Sequence, residues 1–441
     1  MGSLVSEPVP APSAAAGRAA RLRDILQLRF TPLFAALPAR TLEAITPANP
    51  FKRLVKVTGY ALVRLIGHLF KPVRNRENLH GAVWLYVVSQ NNVDALRFIQ
   101  TARSDAVMLA GQGKNIGRYR DDVNRLSLRR KLLYYWQFPG VWWRLGRQEG
   151  HTAWRFFDLI FVAIGYYEVY RRALRHYRPR AVIFANDHND DARALLLACQ
   201  AEGIPTAYVQ HASVSRWFPP LSFDLNLLEG RHTLDTYREC GPIVGRVELI
   251  GMPKADAFLA QRNQSQRVTR VGIAASLLDP TNELIRTLSD LIVALPGLLF
   301  TFRPHPNDPR DFRDLLTARF PSLLFSDART ESIFEFLTKQ DALIAAETSS
   351  HLEATLLNVV SLYYRFGPGY ELSHDYYGFV RHGVATECQT LTALIEELQR
   401  YAVAKPIALY QRAAYYCATI GTAYEGRSSE LGANILRIWL R

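Results

Sequence analysis

Short apolar runs separated by polar, helix-compatible stretches recur along most of this chain, and their spacing predicts two successive arrays of alternating strands and helices. The first array starts at Ala82-Val-Trp-Leu-Tyr-Val-Val88, which gives way to Ser89-Gln-Asn-Asn92 and a helical stretch through Arg103. Ala106-Val-Met-Leu-Ala110, Ala181-Val-Ile-Phe-Ala185, Thr206-Ala-Tyr-Val209, Leu225-Asn-Leu-Leu228 and Val247-Glu-Leu-Ile250 read as further strands, and Gly251-Met-Pro253 closes the array. A helix is expected over residues 192–202. The second array opens with Val271-Gly-Ile-Ala-Ala275 and continues with strands at 298–302, 322–325, 342–346 and 359–363. Residues 391–400 and 405–438 read as helical. Apolar runs bounded by polar loops suit strands buried on both faces, so two mainly parallel α/β sheets are expected.

Open α/β sheets bind ligands at the carboxyl ends of their strands, so the polar segments falling there are the candidates for chemistry. In the second array they are Phe300-Thr-Phe-Arg-Pro-His-Pro306 and Ala345-Ala-Glu-Thr-Ser-Ser-His-Leu-Glu353. Arg303 and His305 suit phosphate or carboxylate, and Glu347, Thr348, Ser349 and Ser350 precede a predicted helix beginning at His351, where hydroxyls and free N–H groups receive anions. A plain Ser/Thr helix cap is the simpler reading of the second segment alone, but two anion-binding segments on one sheet edge imply a nucleotide. In the first array, the strand at 181–185 runs into Asn186-Asp-His-Asn-Asp-Asp191. Asp187, His188 and Asp190 form an acid/base cluster, with helix capping by Asp190 or Asp191 as the alternative. One strand later, His211 of Gln210-His-Ala-Ser213 is placed to line the same edge.

Arg303-Pro-His-Pro306 followed by Glu347-Thr-Ser-Ser350 resembles the paired HP and Ser-Ser motifs of bacterial GT-B glycosyltransferases. The resemblance is to the enzymes of capsule and lipopolysaccharide assembly that use CMP-activated acidic sugars, namely sialyltransferases, polysialyltransferases and retaining β-Kdo transferases. CDP-glycerol glycerophosphotransferases share a similar pair. It implies a GT-B fold, two Rossmann-like domains facing across a cleft, with Arg303, His305, Ser349 and Ser350 on the nucleotide phosphate and donor sugar. The sialyltransferases carry an acidic-acidic-Gly base motif where this chain has Asn186-Asp187-His188, so base and nucleophile are both open roles for the aspartates. Gln210-His211-Ala212 resembles a Gln-His-Gly turn with Ala212 in place of the glycine, and residues 424–430 resemble the closing segment of capsule transferases. The expected function is transfer of an acidic 3-deoxy-ulosonic sugar, Kdo first, from a CMP-sugar to a surface polysaccharide or glycolipid. CDP-glycerol transfer, a non-catalytic glycan-binding protein and a sugar-nucleotide epimerase are the alternatives. No DxD motif is evident, so neither metal nor other cofactor is expected.

At 441 residues the chain is long for one core, and two domains are expected: 21–259 and 269–441, joined by the polar segment 260–268, after a disordered Ala/Pro/Ser-rich tail at 1–20. The 49% hydrophobic content excludes wholesale disorder. No apolar stretch reaches the ~18 residues of a membrane span. Four scattered cysteines indicate neither a disulfide framework nor zinc, which fits a cytoplasmic protein. A net charge of +13 implies an acidic partner, and without a nucleic-acid motif an acidic glycan or an anionic membrane surface is favoured over nucleic acid. Residues 1–6 fit a loose myristoylation pattern. Arg and Lys alternate with apolar residues through 51–70, as in a basic amphipathic helix lying on a membrane or packed on its own domain with a solvated basic face. The aromatics of 131–170, among them Tyr134, Trp136, Trp143, Trp154 and Phe156, are expected mainly in the core, with a membrane-interface patch or an acceptor-sugar platform as the alternatives.

Overall fold

The computed structural model describes residues 17–37, 39–70, 73–114, 116–306, 308–367 and 374–441. The acylation-like residues 1–6 and most of the turn-rich 365–371 stretch lie outside the described residues. Thirteen strands are present among those described: β1 (Val83–Tyr86), β2 (Ala106–Gly111), β3 (Asn124–Leu126), β4 (Ala181–Phe184), β5 (Thr206–Val209), β6 (Leu225–Leu228), β7 (Arg246–Leu249), β8 (Arg270–Ala274), β9 (Leu299–Arg303), β10 (Leu324–Phe325), β11 (Ala342–Ala345), β12 (Val360–Tyr364) and β13 (Thr386–Cys388). They divide between two compact units. One comprises the described residues up to Leu228 with Leu234–Glu248 and Ile435–Arg441, and the other Glu229–Thr233 and Leu249–Asn434.

The strand orders are β3-β2-β1-β4-β5-β6-β7 and β10-β9-β8-β11-β12-β13. Counted from the first strand of each unit, both begin 3-2-1-4-5-6, the doubly wound Rossmann order. Pairing is parallel from β3 to β6 in the first sheet. It is parallel throughout the second. Winding reverses between β1 and β4 and between β8 and β11, which opens a crevice at the carboxyl ends of those strands.

Side-chain alternation builds the second core on both faces of its sheet. Val271, Ile273, Phe300, Phe302 and Ile344 pack with Leu284, Leu288 and Leu291 of the helix Thr281–Ala294. Leu343, Ala345 and Tyr363 pack on the opposite face with Phe334, Phe336 and Leu352. Gly272 of β8 makes the second contact possible, because a Cβ there would meet the Phe336 ring at 2.5 Å.

Four expectations change. The stretch 405–438 is helical only over Ser428–Trp439, preceded by turns and a short 3-10 segment, Leu409–Ala413. Pro406 and the left-handed Gly421 and Gly426 (φ 72° and 73°) break it. The helix after β4 begins at Asp190, so its N-cap is Asn189 and neither Asp190 nor Asp191 is the cap. The polar 260–268 stretch is embedded in the second unit, where buried Asn263 donates to the Gln340 carbonyl and the Asp341 carboxylate. The aromatic segment is only partly core: Phe156, Tyr166, Tyr167 and Tyr170 are buried, whereas Trp136 and Trp143 are 68% and 58% exposed.

Candidate functional site

In the first unit the switch point lies where Tyr86 of β1 pairs with Phe184 of β4. Fully buried Asn92 stitches the two strand ends, accepting from Val88 N (2.9 Å) and donating to the Ala185 carbonyl (3.2 Å). Asn186 then turns the chain, its side-chain oxygen accepting from the N–H groups of His188 (3.2 Å) and Asn189 (2.7 Å). That turn carries Asp187 inward and leaves the His188 ring partly open.

Asp187 is 1% exposed and both its oxygens are engaged. Oδ1 lies 2.9 Å from His188 Nδ1, and Oδ2 accepts from the Tyr237 hydroxyl at 2.6 Å. Burial works to raise its pKa, but the hydrogen bond and charge of His188, the Tyr237 hydroxyl and the charge of His211 outweigh it and hold the carboxyl below its ordinary value. An ionised acceptor fixes the imidazole with its proton on Nδ1, leaving Nε2 as the basic atom. The His188 ring packs on Phe218 (centroids 4.3 Å apart), with the His211 ring 6.2 Å away. Asp187, His188 and His211 therefore converge.

Asp190 and Asp191 serve a neighbouring network. Asp190 faces Arg29 at 3.5 Å, and burial raises its pKa against the charge of Arg29. Asp191 accepts from the Tyr86 hydroxyl (3.0 Å) and pairs with Lys114 (3.0 Å), and Tyr86 also meets the Tyr170 hydroxyl at 2.7 Å. Gly111 ends β2 against these groups, and a Cβ there would lie 3.0 Å from the Tyr170 oxygen. Sequence reasoning missed Tyr237, which carries no motif, and Asn92, which reads as one more polar loop residue.

In the second unit Ala274, Arg303 and Ala345 share one register row, so the segments that follow β8, β9 and β11 leave the same edge of the sheet. Arg310 ties two of them together, bonding the Asp308 carboxylate (2.5 Å) and the carbonyls of Ser276 (3.0 Å) and Asp279 (2.5 Å). His305 lies in this stapled loop, and burial lowers its pKa against the opposing charge of Asp308. Arg303 is turned inward instead. It is 7% exposed, donates to Ser326 Oγ (2.5 Å) and the Glu331 carbonyl (2.8 Å), and lies over the Phe336 ring.

After β11, residues 346–350 lead into the short helix Ser350–Leu356. Ser349 makes no side-chain cap bond, while Thr348 Oγ1 accepts from Ser350 N at 3.3 Å. The loop is pinned by buried His351. Its Nε2 must donate to the Ala346 carbonyl (2.8 Å), so Nδ1 accepts from Ser361 (2.7 Å), and burial drives its pKa down to about 4. Glu347 accepts from the Tyr363 hydroxyl (3.1 Å) and Tyr377 N (3.4 Å), yet burial raises its pKa to about 7. Glu353, at the end of the same motif, is buried and paired with Lys254 at 2.5 Å. Among the described residues no three His, Cys, Asp or Glu side chains gather as metal ligands would.

Two Rossmann-like units, each with polar residues at its switch point, define the GT-B fold class. No protein-family model and no curated protein matches the chain. Solved structures do. A putative UDP-N-acetylglucosamine 2-epimerase from Listeria monocytogenes aligns with TM-score 0.51 at 11% identity, covering 82% of this chain and 97% of its own. MnaA of S. aureus, solved with UDP, gives TM-score 0.50 at 11% identity over 82% and 97%. The wall teichoic acid polymerase TagF, soaked with CDPG, aligns more loosely, with TM-score 0.48 at 10% identity over 88% and 97%. At such identities the likeness concerns the fold. Among the described residues no helix is long and apolar enough to cross a membrane.

Proposed function

We propose that the chain is a cytoplasmic glycosyltransferase that moves an acidic 3-deoxy-ulosonic sugar, Kdo first, from a CMP-sugar to a surface polysaccharide or glycolipid. The observation that carries this reading is the shared register row of Ala274, Arg303 and Ala345, which sends the two HP and Ser-Ser segments off one sheet edge beside the β8/β11 switch point. His305, Thr348, Ser349 and Ser350 would receive the donor phosphate, with Glu347 beside them. Arg303, bonded internally, acts as a positioning residue that braces the end of β9.

His188 is the proposed proton acceptor. The acceptor hydroxyl oxygen bonds to the ketosidic carbon as the carbon–oxygen bond to CMP breaks. The proton passes to His188 Nε2, and CMP leaves with the electron pair. Asp187 orients His188 and offsets the imidazolium charge, and the His211 ring lies 6.2 Å from the His188 ring. Both Asp187 oxygens are already bonded, which suits Asp187 to orienting His188 rather than to attacking carbon itself. Asp190, paired with Arg29, is the second-ranked acid.

The test is incubation with CMP-Kdo, CMP-sialic acid, CDP-glycerol and UDP-N-acetylglucosamine, each with a glycan acceptor. CMP release with Kdo transfer supports the proposal. CMP release with glycerol phosphate transfer, or an isomerised UDP-sugar, replaces it with another enzyme, and no turnover of any donor points to a non-catalytic glycan-binding protein.

A further inference from the structure

The helix Pro50–Phe70 is built inside out. Its protein-facing positions, three and four residues apart, carry Arg53, Lys56, Tyr60 and Arg64. Arg53 is buried and donates to the Pro47 carbonyl, Lys56 pairs with buried Asp158 at 2.8 Å, and the Tyr60 hydroxyl accepts from Lys131 at 3.0 Å. Lys131 is itself fully buried, its ammonium 3.3 Å from the centre of the Tyr166 ring. Polar anchors thus fix the helix to its unit. The opposite side presents Phe51, Leu54, Val55, Leu62, Val63, Leu65 and Ile66 to solvent, each between 44% and 70% exposed. The expected alternative, a solvated basic face with the apolar side packed inward, is the reverse of what is found.

An apolar stripe of this length is unfavourable in water and marks an interaction surface. The segment Arg129–Gln137, tied to this helix by the Lys131–Tyr60 bond, also carries exposed Leu133 and Trp136, and the helix Phe138–Glu149 that follows carries exposed Trp143. Charge selects the occupant. Residues 50–76 and 123–148 contain no Asp or Glu. Lys52, Arg74, Arg129, Arg144 and Arg147 are exposed. A second copy of the same face would set these cations against each other. Apolar residues with tryptophans and a cationic rim match the headgroup boundary of an anionic bilayer.

We propose that this face docks the protein peripherally on an anionic lipid bilayer, with the apolar stripe of Pro50–Phe70 entering the acyl boundary and the exposed arginines on the headgroups. Donor chemistry plays no part in the argument, so the proposal stands or falls apart from the transferase reading. The experiment is flotation of the full chain with vesicles of phosphatidylcholine alone or mixed with phosphatidylglycerol, beside the variant Leu54→Glu/Leu62→Glu/Ile66→Glu. All three positions face solvent, so an unchanged thermal melt and circular dichroism spectrum are expected for the variant. Wild type should float with the phosphatidylglycerol vesicles, and the variant should lose at least about tenfold in partitioning. Arg144→Glu/Arg147→Glu should lose the preference for phosphatidylglycerol and keep its fold. Wild type that floats with neither vesicle overturns the proposal. So does a triple variant that floats undiminished, or a wild-type dimer, seen by light scattering, that the triple variant dissolves without any vesicle binding.

Discussion

At the switch point of each sheet sits a mostly buried carboxyl, and burial and neighbours drive the two toward different protonation states. Asp187 is held below its ordinary pKa because His188, Tyr237 and His211 surround it with donors and positive charge that outweigh burial. Glu347 receives a tyrosine hydroxyl and backbone N–H groups, and burial carries it up to about 7. One strand order thus houses two electrostatic devices. An anion at the first turn is suited to orienting an imidazole, and a carboxyl that sheds its charge at the second is suited to a neighbouring phosphate.

Removing the imidazole breaks the comparison most severely. His188→Ala is expected to lower kcat by roughly 10²–10⁴-fold with CMP affinity unchanged, in a steady-state assay with the proposed CMP-sugar donor. Asp187→Asn keeps the shape and loses the charge, and should cost about 10²-fold in kcat. Tyr237→Phe removes one hydrogen bond to Asp187 and should cost about tenfold.

In the second unit, Arg303→Met leaves Ser326 and Glu331 without their buried partner. Urea denaturation should then show a loss of ~2–4 kcal/mol. Glu347→Gln is the gentlest test. The folded pKa of Glu347 is raised, so between the ordinary carboxylate range and about 7 the folded protein keeps a proton that the unfolded chain has released. Stability therefore declines as pH rises through that window. Gln at this position should flatten the decline, and CMP affinity, which should weaken above about pH 7 in the wild type as Glu347 ionises, should become insensitive to pH.

The sheets were legible because each strand is an uninterrupted apolar run ending in polar residues, as at Ala342–Ala345 and Ala181–Phe184. The short strands β3 and β13 were not, since Asn124–Leu126 and Thr386–Cys388 are too brief and too polar to show a period. The polar loops at both switch points were legible from their position, and the roles within them were not. Whether an arginine reaches outward or braces its own strand depends on Ser326 and Glu331, more than twenty residues along the chain. The orientation of the helix Pro50–Phe70 was equally hidden, because its pattern gives an amphipathic helix without saying which side meets the protein. Buried partners on distant segments, Asp158 and Lys131, decide that.

Donor binding by the segments after β9 and β11, separate from proton transfer at His188, is the proposed division of labour. Calorimetric titration of CMP into wild type, His188→Ala and Ser349→Ala tests it directly. The account predicts wild-type affinity for His188→Ala and at least about tenfold weaker binding for Ser349→Ala, one lost hydrogen bond to a charged group. Undiminished binding by Ser349→Ala, or loss of binding by His188→Ala, would contradict it.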